Sequence, residues 1–475
     1  MKIARFAGTA TAALILAAPV MAQTAGSSAD LAADQAQIDA LKQQLERLEA
    51  TVDYLKANAS AEHKEKAVTA SDVAALKTTS DKFTWSGDFR FRHEMIDRAA
   101  DDASADHTQQ RDRIRVRFGV LAKVNDTTSV KLQLSTVNNN SDIARSRNQT
   151  LGSGWDTKSV GWDLAYVDWH PNTMTNLWLG KMPQPWVKTA SYFWDNDLTP
   201  EGAALKYSRG MWFGNVTYLW LNERNTLGNQ AASSDATMAG IQVGLKPTFS
   251  AGTLTAAAGW FDIANVQNRV TKFSSVSTAP PGGGTVTTVV CAIDGAFGAG
   301  QGTGDDAFGN TEYTGPAPQV GSSASCTRLY SDFNFFTALL QFDTKVGKFP
   351  LSLYADYMQN TAALQNTSVK KTLDSAWAVG FSFNKASTPH TWDIGVLYEQ
   401  NQKDAVFGQY VDSDFGGGQT DAKGWAIKGN YVLATNWTFA FAAFLNKLNY
   451  GGVPANNSLY NLDYKRYQLD LNYKF

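Results

Sequence analysis

The sequence predicts a transmembrane antiparallel β-barrel of about sixteen strands, preceded by a short α-helical coiled coil. Three observations predict this fold: an apolar leader, segments in which apolar and polar residues alternate, and connections that alternate between short and long. The chain has 475 residues, of which 18% are charged and 12% aromatic, and 38 are glycine. One large barrel can account for this length, because its circumference grows strand by strand.

The charge balance excludes one class of partner. The formal net charge is −2 at pH 7, and no basic tail is present in the sequence. Nucleic-acid binding would require a clear basic excess or a concentrated basic segment. We therefore expect no nucleic-acid partner.

The first 22 residues have the pattern of a cleaved signal peptide. Two basic residues precede an apolar run from Phe6 to Val20, which ends in a small-residue cleavage site before Gln23. The run is short and rich in small residues for a membrane span, which needs about 20 residues. We therefore predict export into an oxidising compartment, with Gln23 as the first mature residue.

A heptad pattern follows the leader, interrupted near its start by Asp34. Its core positions are Leu31, Ile38, Leu41, Leu45, Leu48, Val52 and Leu55. A lone amphipathic helix of this length is marginally stable, so residues 23–60 are predicted to form a self-associating coiled coil in the periplasm. The alternative is a helix that packs on its own barrel. Residues 61–81 are predicted to be a polar linker.

From residue 82 the period of the apolar residues changes to two. Apolar residues from Tyr467 to Phe475, for example, alternate with polar residues from Arg466 to Lys474. The predicted strands are residues 82–93, 112–124, 128–138, 160–169, 175–183, 202–208, 211–221, 237–247, 251–262, 328–346, 350–358, 374–385, 389–399, 423–434, 436–448 and 465–475.

The predicted strands are joined alternately by tight turns and by long loops. An even strand number with short turns on one side and long loops on the other is typical of bacterial outer-membrane barrels. Residues 82–475 are therefore predicted to form one barrel in the outer membrane of a Gram-negative bacterium. Tryptophans near strand ends predict interfacial girdles. They are Trp85, Trp162, Trp178, Trp212, Trp377, Trp425 and Trp437.

Basic residues on the polar register of the first three strands are predicted to line the interior. They are Arg90, Arg92, Arg113, Arg115, Arg117 and Lys131. Acidic residues lie instead in neighbouring loops, at Asp97, Asp101, Asp102, Asp106, Asp195, Asp197 and Glu201. A basic wall that faces acidic loops would set up a transverse field and a modest preference for anions. The alternative is that these arginines are solvated or paired.

Two segments are candidates to narrow the interior. Residues 183–202 combine Pro, aromatic residues and Asp, a mixture that is unusual for a solvated loop. They either fold inward or pack over the barrel mouth or against a neighbouring subunit. The insertion at residues 266–329 contains Cys291 and Cys326, which in an oxidising compartment most simply form a disulfide. Two thiols without a nearby histidine make an incomplete ligand set, so neither a metal site nor a cofactor is expected.

The chain resembles the putative porin family, which joins a periplasmic coiled coil to a porin-like barrel. The resemblance rests on "WSGDFRFRHE" at Trp85 to Glu94, "RDRIRVRFGV" at Arg111 to Val120, "LGKMPQPW" at Leu179 to Trp186, "WDNDLTPEGAAL" at Trp194 to Leu205, and the terminal Phe475. It implies a passive channel for small hydrophilic solutes and ions, and Phe475 as the signal read by the assembly machinery. Analogy to sixteen-stranded porins and the coiled coil together imply a homotrimer.

Two other functions remain open at this point. The coiled coil could tether the barrel to peptidoglycan or another periplasmic partner, which would make permeation incidental. A barrel hydrolase would need a nucleophile and a base projecting together, and the five histidines stand in no recognisable triad setting. The sequence therefore predicts a channel and not an enzyme.

Overall fold

The computed structural model describes residues 28–62, 81–98, 107–137, 144–223, 235–272, 274–278, 286–291, 307–316, 325–451 and 461–475. The predicted signal peptide, residues 63–80 of the predicted linker, and Asp101, Asp102 and Asp106 lie outside these ranges. The chain divides into two units, Met1–Thr79 and Ser80–Phe475. Among the described residues, no helix combines the length and apolarity that a bilayer span requires.

The described part of the first unit is one α-helix, α1 (Ser28–Glu62). The heptad side chains that are described on it are all at least 40% exposed: Ile38, Leu41, Leu45, Leu48, Val52 and Leu55. The side chain of Leu31 lies outside the described residues. An apolar seam exposed along a helix is a surface that self-association would cover, and the coiled coil stays a prediction.

The second unit is a closed antiparallel barrel of sixteen long strands. The strands are β1 (Phe83–Arg98), β2 (His107–Asn125), β3 (Thr128–Thr136), β4 (Val160–Asn172), β5 (Thr175–Lys181), β6 (Glu201–Arg209), β7 (Trp212–Asn222), β8 (Ala236–Leu245), β9 (Gly252–Ala264), β10 (Phe333–Val346), β11 (Phe349–Asn360), β12 (Ser375–Asn384), β13 (Trp392–Asn401), β14 (Ala422–Ala434), β15 (Trp437–Leu448) and β16 (Leu462–Lys474). Each pairs with its neighbours in sequence, and β1 pairs with β16 to close the wall. The predicted fold class and strand number are confirmed.

Short turns join alternate strands at one end of the barrel, such as residues 126–127 and 347–348. Long loops join the others at the opposite end, and the longest spans residues 265–332. We call these the short-turn end and the long-loop end. The first strand, β1, begins at the short-turn end and the last strand, β16, ends there, because an even number of strands returns the chain to the side from which it started.

Shorter strands decorate this wall and its loops. Gln149–Thr150 pairs with β2, and Thr248–Phe249 pairs with β9. Three hairpins lie in the long loops: Ser274–Thr278 with Val286–Cys291, Glu312–Pro316 with Ser325–Leu329, and Gln365–Asn366 with Lys371–Thr372. The prediction of one strand at residues 328–346 is therefore wrong. Leu329 ends a loop hairpin, and the wall strand β10 starts only at Phe333.

The two faces of the wall differ in the way that a membrane barrel requires. On β8, the outward Ile241 and Val243 are 50% and 59% exposed, whereas the inward Met238 and Gln242 are 1% and 3% exposed. Large apolar side chains are outward on every side of the barrel, which lipid explains and water would not. The girdle prediction is wrong for Trp178, which faces inward and has its ring centroid 3.9 Å from Lys206 Nζ.

The barrel closes where the C-terminal residue meets β1. Gly87 N donates to the Phe475 carbonyl (2.9 Å), and Phe475 N donates to the Gly87 carbonyl (3.1 Å). A Cβ added to Gly87 would lie 2.4 Å from a ring carbon of Phe475 and 2.6 Å from the Arg117 carbonyl oxygen. Glycine therefore leaves the room that the terminal ring occupies. The role of Phe475 as an assembly signal stays a prediction.

We expect Gly87→Ala to destabilise the closed barrel by about 1–3 kcal/mol, because the added methyl group overpacks the seam. Urea unfolding, followed by the heat-modifiable electrophoretic mobility of the barrel, measures this change. Gly395→Ala is the matched control, since the nearest atom to its added Cβ is at 3.4 Å. Equal loss of stability in the two variants would contradict this account of the seam.

Candidate functional site

The loop L3 (residues 182–200), between β5 and β6, folds into the barrel. Its polar contacts reach the inner faces of three distant strands: Val187 N donates to Gln242 Oε1 (2.8 Å), Ser191 Oγ to Asp356 Oδ2 (2.7 Å) and Tyr192 N to Glu399 Oε2 (2.8 Å). These strands are β8, β11 and β13, so the loop crosses the interior. Of the two alternatives left open by the sequence, inward folding is the one in the structure.

Aromatic side chains hold L3 against the wall. Trp186 packs on Phe261 of β9 with ring centroids 5.4 Å apart, and Trp194 packs on Phe335 of β10 at 6.0 Å. Phe193 is 2% exposed. Burying a large apolar side chain contributes about 1.5–3 kcal/mol. This explains why the loop is rich in aromatic residues although it lies inside a polar barrel.

A second inward loop, L7 (residues 402–421), was not predicted. Its Phe407, Val411 and Phe415 are each 2% exposed. L7 and L3 are joined by two backbone hydrogen bonds, Asp195 N to the Tyr410 carbonyl (2.8 Å) and Asp412 N to the Tyr192 carbonyl (3.0 Å). The sequence signal was present, since L7 also combines aromatic residues with aspartates in a long loop.

A third segment reaches the same region from the loop between β3 and β4. Arg145 Nη1 donates to the carbonyls of Gly408 (3.0 Å) and Gly418 (2.8 Å) in L7. Arg147 Nε lies 2.7 Å from Asp163 Oδ1, and Arg147 Nη2 donates to the Asp197 carbonyl of L3 (2.9 Å). These two arginines, which sequence reasoning missed, tie both inward loops to one side of the barrel.

The basic residues singled out by the sequence project from the inner faces of β1, β2 and β3. Their ion pairs are Arg92 with Asp470 (2.7 Å) and Asp414 (3.2 Å), Arg90 with Asp470 (3.8 Å), Arg113 with Glu94 (3.5 Å), Arg115 with Asp88 (2.9 Å) and Asp197 (3.8 Å), and Arg117 with Asp88 (2.7 Å). Lys131 Nζ donates to Ser86 Oγ (3.1 Å). The arginines are paired, which is the second of the two alternatives drawn from the sequence.

Glu94 lies at the centre of the densest part of this network. It is fully buried and contacts the guanidinium groups of Arg111, Arg113 and Arg466, the last at 2.7 Å. Arg466 comes from β16, which closes on β1 and so brings its charges beside those of β2. Removing Glu94 would leave several buried cations uncompensated, so the network is held together by mutual pairing.

Of the predicted acidic loop residues within the described ranges, Asp195 and Asp197 lie in L3, whereas the placement of Asp97 and Glu201 in loops is wrong, since Asp97 belongs to β1. Asp197 lies near Arg115, and Asp195 Oδ2 accepts a hydrogen bond from Ser413 N of L7 (2.8 Å). Glu201 does not lie in the loop: it is the first residue of β6, is exposed, and pairs with Lys181 at 2.8 Å. The basic wall and the acidic loop were expected to face each other, and in the structure they are in direct contact.

Two carboxyl groups of the inward loops have pKa values that are shifted in opposite directions. Burial alone would raise the pKa of Asp414, but Arg466 and Arg92 outweigh it and hold this pKa far below its usual range. Burial raises the pKa of Asp195, and the nearby charges of Asp412 and Asp197 raise it further. The anchor of L7 on the arginines is therefore ionic, whereas at Asp195 the hydrogen bond from Ser413 N lowers the pKa but does not outweigh burial.

A polar cavity of about 280 Å³ remains between L3 and the inner faces of β2 to β4. Arg117 and Lys188 line it together with Gln133, Gln184 and Asn196. Burial lowers the pKa of Lys188 to about 8, although four aspartates oppose this shift. Hydrogen-bonding groups of both charge signs therefore surround this open part of the interior.

The cysteine pair lies away from this interior network. Cys326 is 1% exposed and part of a loop hairpin. The side chain of Cys291 lies outside the described residues. The pairing of the two stays a prediction.

A closed barrel with an apolar outer face, a charged interior and inward loops defines an outer-membrane channel protein. The sequence profile of the putative porin family matches residues 96–475, so the chain belongs to this family. No curated protein matches the chain.

The barrel is similar to several solved outer-membrane proteins at low identity. OprB of Pseudomonas putida is 11% identical, with 86% of this chain and 96% of that chain covered and a TM-score of 0.49. OmpF of Salmonella typhi, in complex with daunomycin, is 11% identical, with 83% and 97% covered and a TM-score of 0.43. A loop-deletion mutant of OmpT from Vibrio cholerae is 12% identical, with 83% and 100% covered and a TM-score of 0.41.

We expect Asp414→Asn to loosen L7, because the loop loses the carboxylate that contacts Arg92 (3.2 Å) and Arg466 (2.7 Å). A hydrogen bond to a charged group contributes about 1.5–3 kcal/mol, and its loss lets L7 move away from the wall. The single-channel current should therefore become noisier and larger. Asp343→Asn is the control, since it removes an inner-face carboxylate that bonds Gln341 on its own strand. Identical current traces for Asp414→Asn and the unmodified protein would show that this anchor does not restrain L7.

Proposed function

We propose that the protein is an outer-membrane porin, a passive water-filled channel for small hydrophilic solutes and ions, and not an enzyme. The observation that carries this proposal is the polar cavity beside the arginine network, at the point where L3 narrows the interior. Such a passage offers hydrogen bonds and charges to a solute that sheds part of its hydration. Family membership supports the channel function, and the path of L3 across the interior supports the position of its narrow part.

We also propose a modest preference for anions. The network contains seven guanidinium groups and five carboxylates, which leaves a positive excess along one wall. They are Arg90, Arg92, Arg111, Arg113, Arg115, Arg117 and Arg466, with Asp88, Glu94, Asp197, Asp414 and Asp470. Because most of these charges are paired at short range, their long-range field is weak and the preference is small.

The shared carboxylate of Asp88 allows a test of both signs. We expect the double variant Arg115→Gln, Arg117→Gln to shift selectivity toward cations, because Asp88 is then uncompensated. Asp88→Asn should shift it toward anions, because two guanidinium groups lose their partner. The measurement is the reversal potential in planar bilayers under a salt gradient. Unchanged reversal potentials in both variants would remove this network from ion selection, and absence of conductance in inserted protein would contradict the porin itself.

We propose that the porin is a homotrimer, with the number three resting on the resemblance to sixteen-stranded porins. The wall has a notch at the long-loop end, because the pairing of β5 and β6 with their neighbours stops at Lys181 and Glu201. On the two sides of this notch, residues 160–164 of β4 and residues 220–222 of β7 continue past the ends of β5 and β6. A strand edge that faces lipid without a partner is costly, so a neighbouring copy over this notch would stabilise the assembly.

The exposed seam of α1 supports the same proposal and can be tested in the full-length chain. We expect Leu41→Asp with Leu48→Asp to reduce the oligomer, because two charges replace apolar residues of the seam. Gln43→Asp with Ala50→Asp is the control, since these residues lie on the opposite side of the heptad. Light scattering in detergent measures the mass. A mass that is the same in both double variants would exclude the helix from assembly.

A second candidate function is tethering, favoured by the observation that α1 belongs to a separate unit with an exposed apolar seam. We propose that α1 lies in the periplasm, where it can contact peptidoglycan or another envelope partner. The reason is that β1, the first strand after α1 in the chain, begins at the short-turn end. Deleting residues 31–60 separates the two functions. A tether predicts a leaky envelope with unchanged single-channel conductance, whereas a pure channel predicts an intact envelope.

A further inference from the structure

Three lysines lie together on the outward face of the barrel near the long-loop end. Lys423 of β14 and Lys447 of β15 are directly opposite each other, and Lys465 of β16 is opposite Leu445, one outward residue further down the wall. We call Lys423, Lys447 and Lys465 the lysine cluster. All three line one cavity of about 240 Å³. None of them belongs to the interior network described above.

The charges of this cluster are only partly compensated. Lys447 pairs with Asp463 at 2.6 Å, and Lys423 Nζ lies 4.6 Å from the ring centroid of Tyr450. Lys465 is exposed and makes no ion pair with any residue in the described ranges, although Asp97 of β1 lies opposite it in the register. Lys423 and Lys447 are directly opposite each other on neighbouring strands, where like charges repel and a nearby anion is stabilising.

Aromatic and apolar residues next to the cluster place it at the edge of the hydrocarbon layer. Trp425 is two residues from Lys423 and is 50% exposed, and its ring centroid lies 5.0 Å from that of Tyr398 on β13. Leu445 lies beside Lys465, Leu469 lies further down the wall, and these two outward side chains are 37% and 48% exposed. Aromatic residues mark the membrane interface, and lysines just beyond them lie among lipid headgroups.

We propose that the lysine cluster binds the phosphate group of an anionic lipid in the leaflet at the long-loop end. The cavity brings ammonium groups from three neighbouring strands to one place, and the apolar wall beneath it accommodates the acyl chains. Three lysines and Asp463 are the charged residues that line the cavity, so its lining carries a net charge of about +2, opposite in sign to a phosphate monoester. The site selects the headgroup by charge, whereas any lipid can cover the apolar wall.

The test uses the full-length protein in an uncharged detergent, with phosphatidic acid as the probe and phosphatidylcholine as the neutral lipid. Native mass spectrometry counts the lipids bound. We expect phosphatidic acid to bind preferentially. The double variant Lys423→Gln, Lys465→Gln should lose tenfold or more of this affinity, since each lysine near an anionic surface contributes about fivefold.

Two further variants give the test its direction. Asp463→Asn should tighten binding, because it frees the charge of Lys447. The control, Lys348→Gln with Lys385→Gln, removes two exposed lysines from turns at the short-turn end and should leave binding unchanged. Single-channel conductance should be the same in all of these variants, which shows that each is folded and keeps this site separate from the channel.

Three results would overturn the proposal. Equal binding of phosphatidylcholine and phosphatidic acid would show that the apolar wall alone holds lipid. Unchanged binding in the lysine double variant would remove the cluster from the interaction. Displacement of phosphatidic acid by an equimolar amount of inorganic phosphate would show a site for free phosphate and not for a lipid headgroup.

Discussion

The backbone of the wall has to satisfy its hydrogen bonds without help from water, and the rest of the structure depends on this constraint. In lipid only a closed sheet meets it, so β1 must pair with β16. That closure brings Arg466 and Asp470 beside the charges of β1 and β2, and it seats Phe475 over Gly87. The interior network is therefore a product of the same pairing that allows the barrel to exist in a membrane.

Closure also inverts the usual distribution of apolar residues. The outward face is apolar because it meets lipid, so the interior is free to carry charges. Inside it, L3 and L7 build a small aromatic core of their own around Trp194 and Phe415. This core, the two backbone hydrogen bonds between the loops, and the ionic anchor at Asp414 hold them across the lumen. Both loops are therefore packed in place inside the barrel and not merely tethered at their ends.

Much of the wall could be predicted, because a period of two is a local property and each strand carries it. Alternation from Tyr467 to Phe475 identifies β16, and the same pattern identifies the other fifteen. The error at residues 328–346 has a physical reason: the hairpin strand Ser325–Leu329 and β10 both have strand-like composition, and only their different partners separate them. The inward path of L3 was one of two alternatives, and its aromatic content favoured neither. L7 shares the aromatic and aspartate content of L3 and was missed, because composition alone does not separate an inward loop from an exposed one.

The sequence by itself determined the class of the protein: a membrane barrel of sixteen strands with arginines on the polar register of β1 and β2. Only the tertiary structure decided how those arginines are used. Arg92 meets Asp470, 378 residues away in the chain, and Asp414 at a separation of 322. Composition cannot indicate such partners, because strand closure and loop folding bring them together. The same holds for Lys423, Lys447 and Lys465. They converge on one outward cavity only because of the register of three strands, which the sequence does not give.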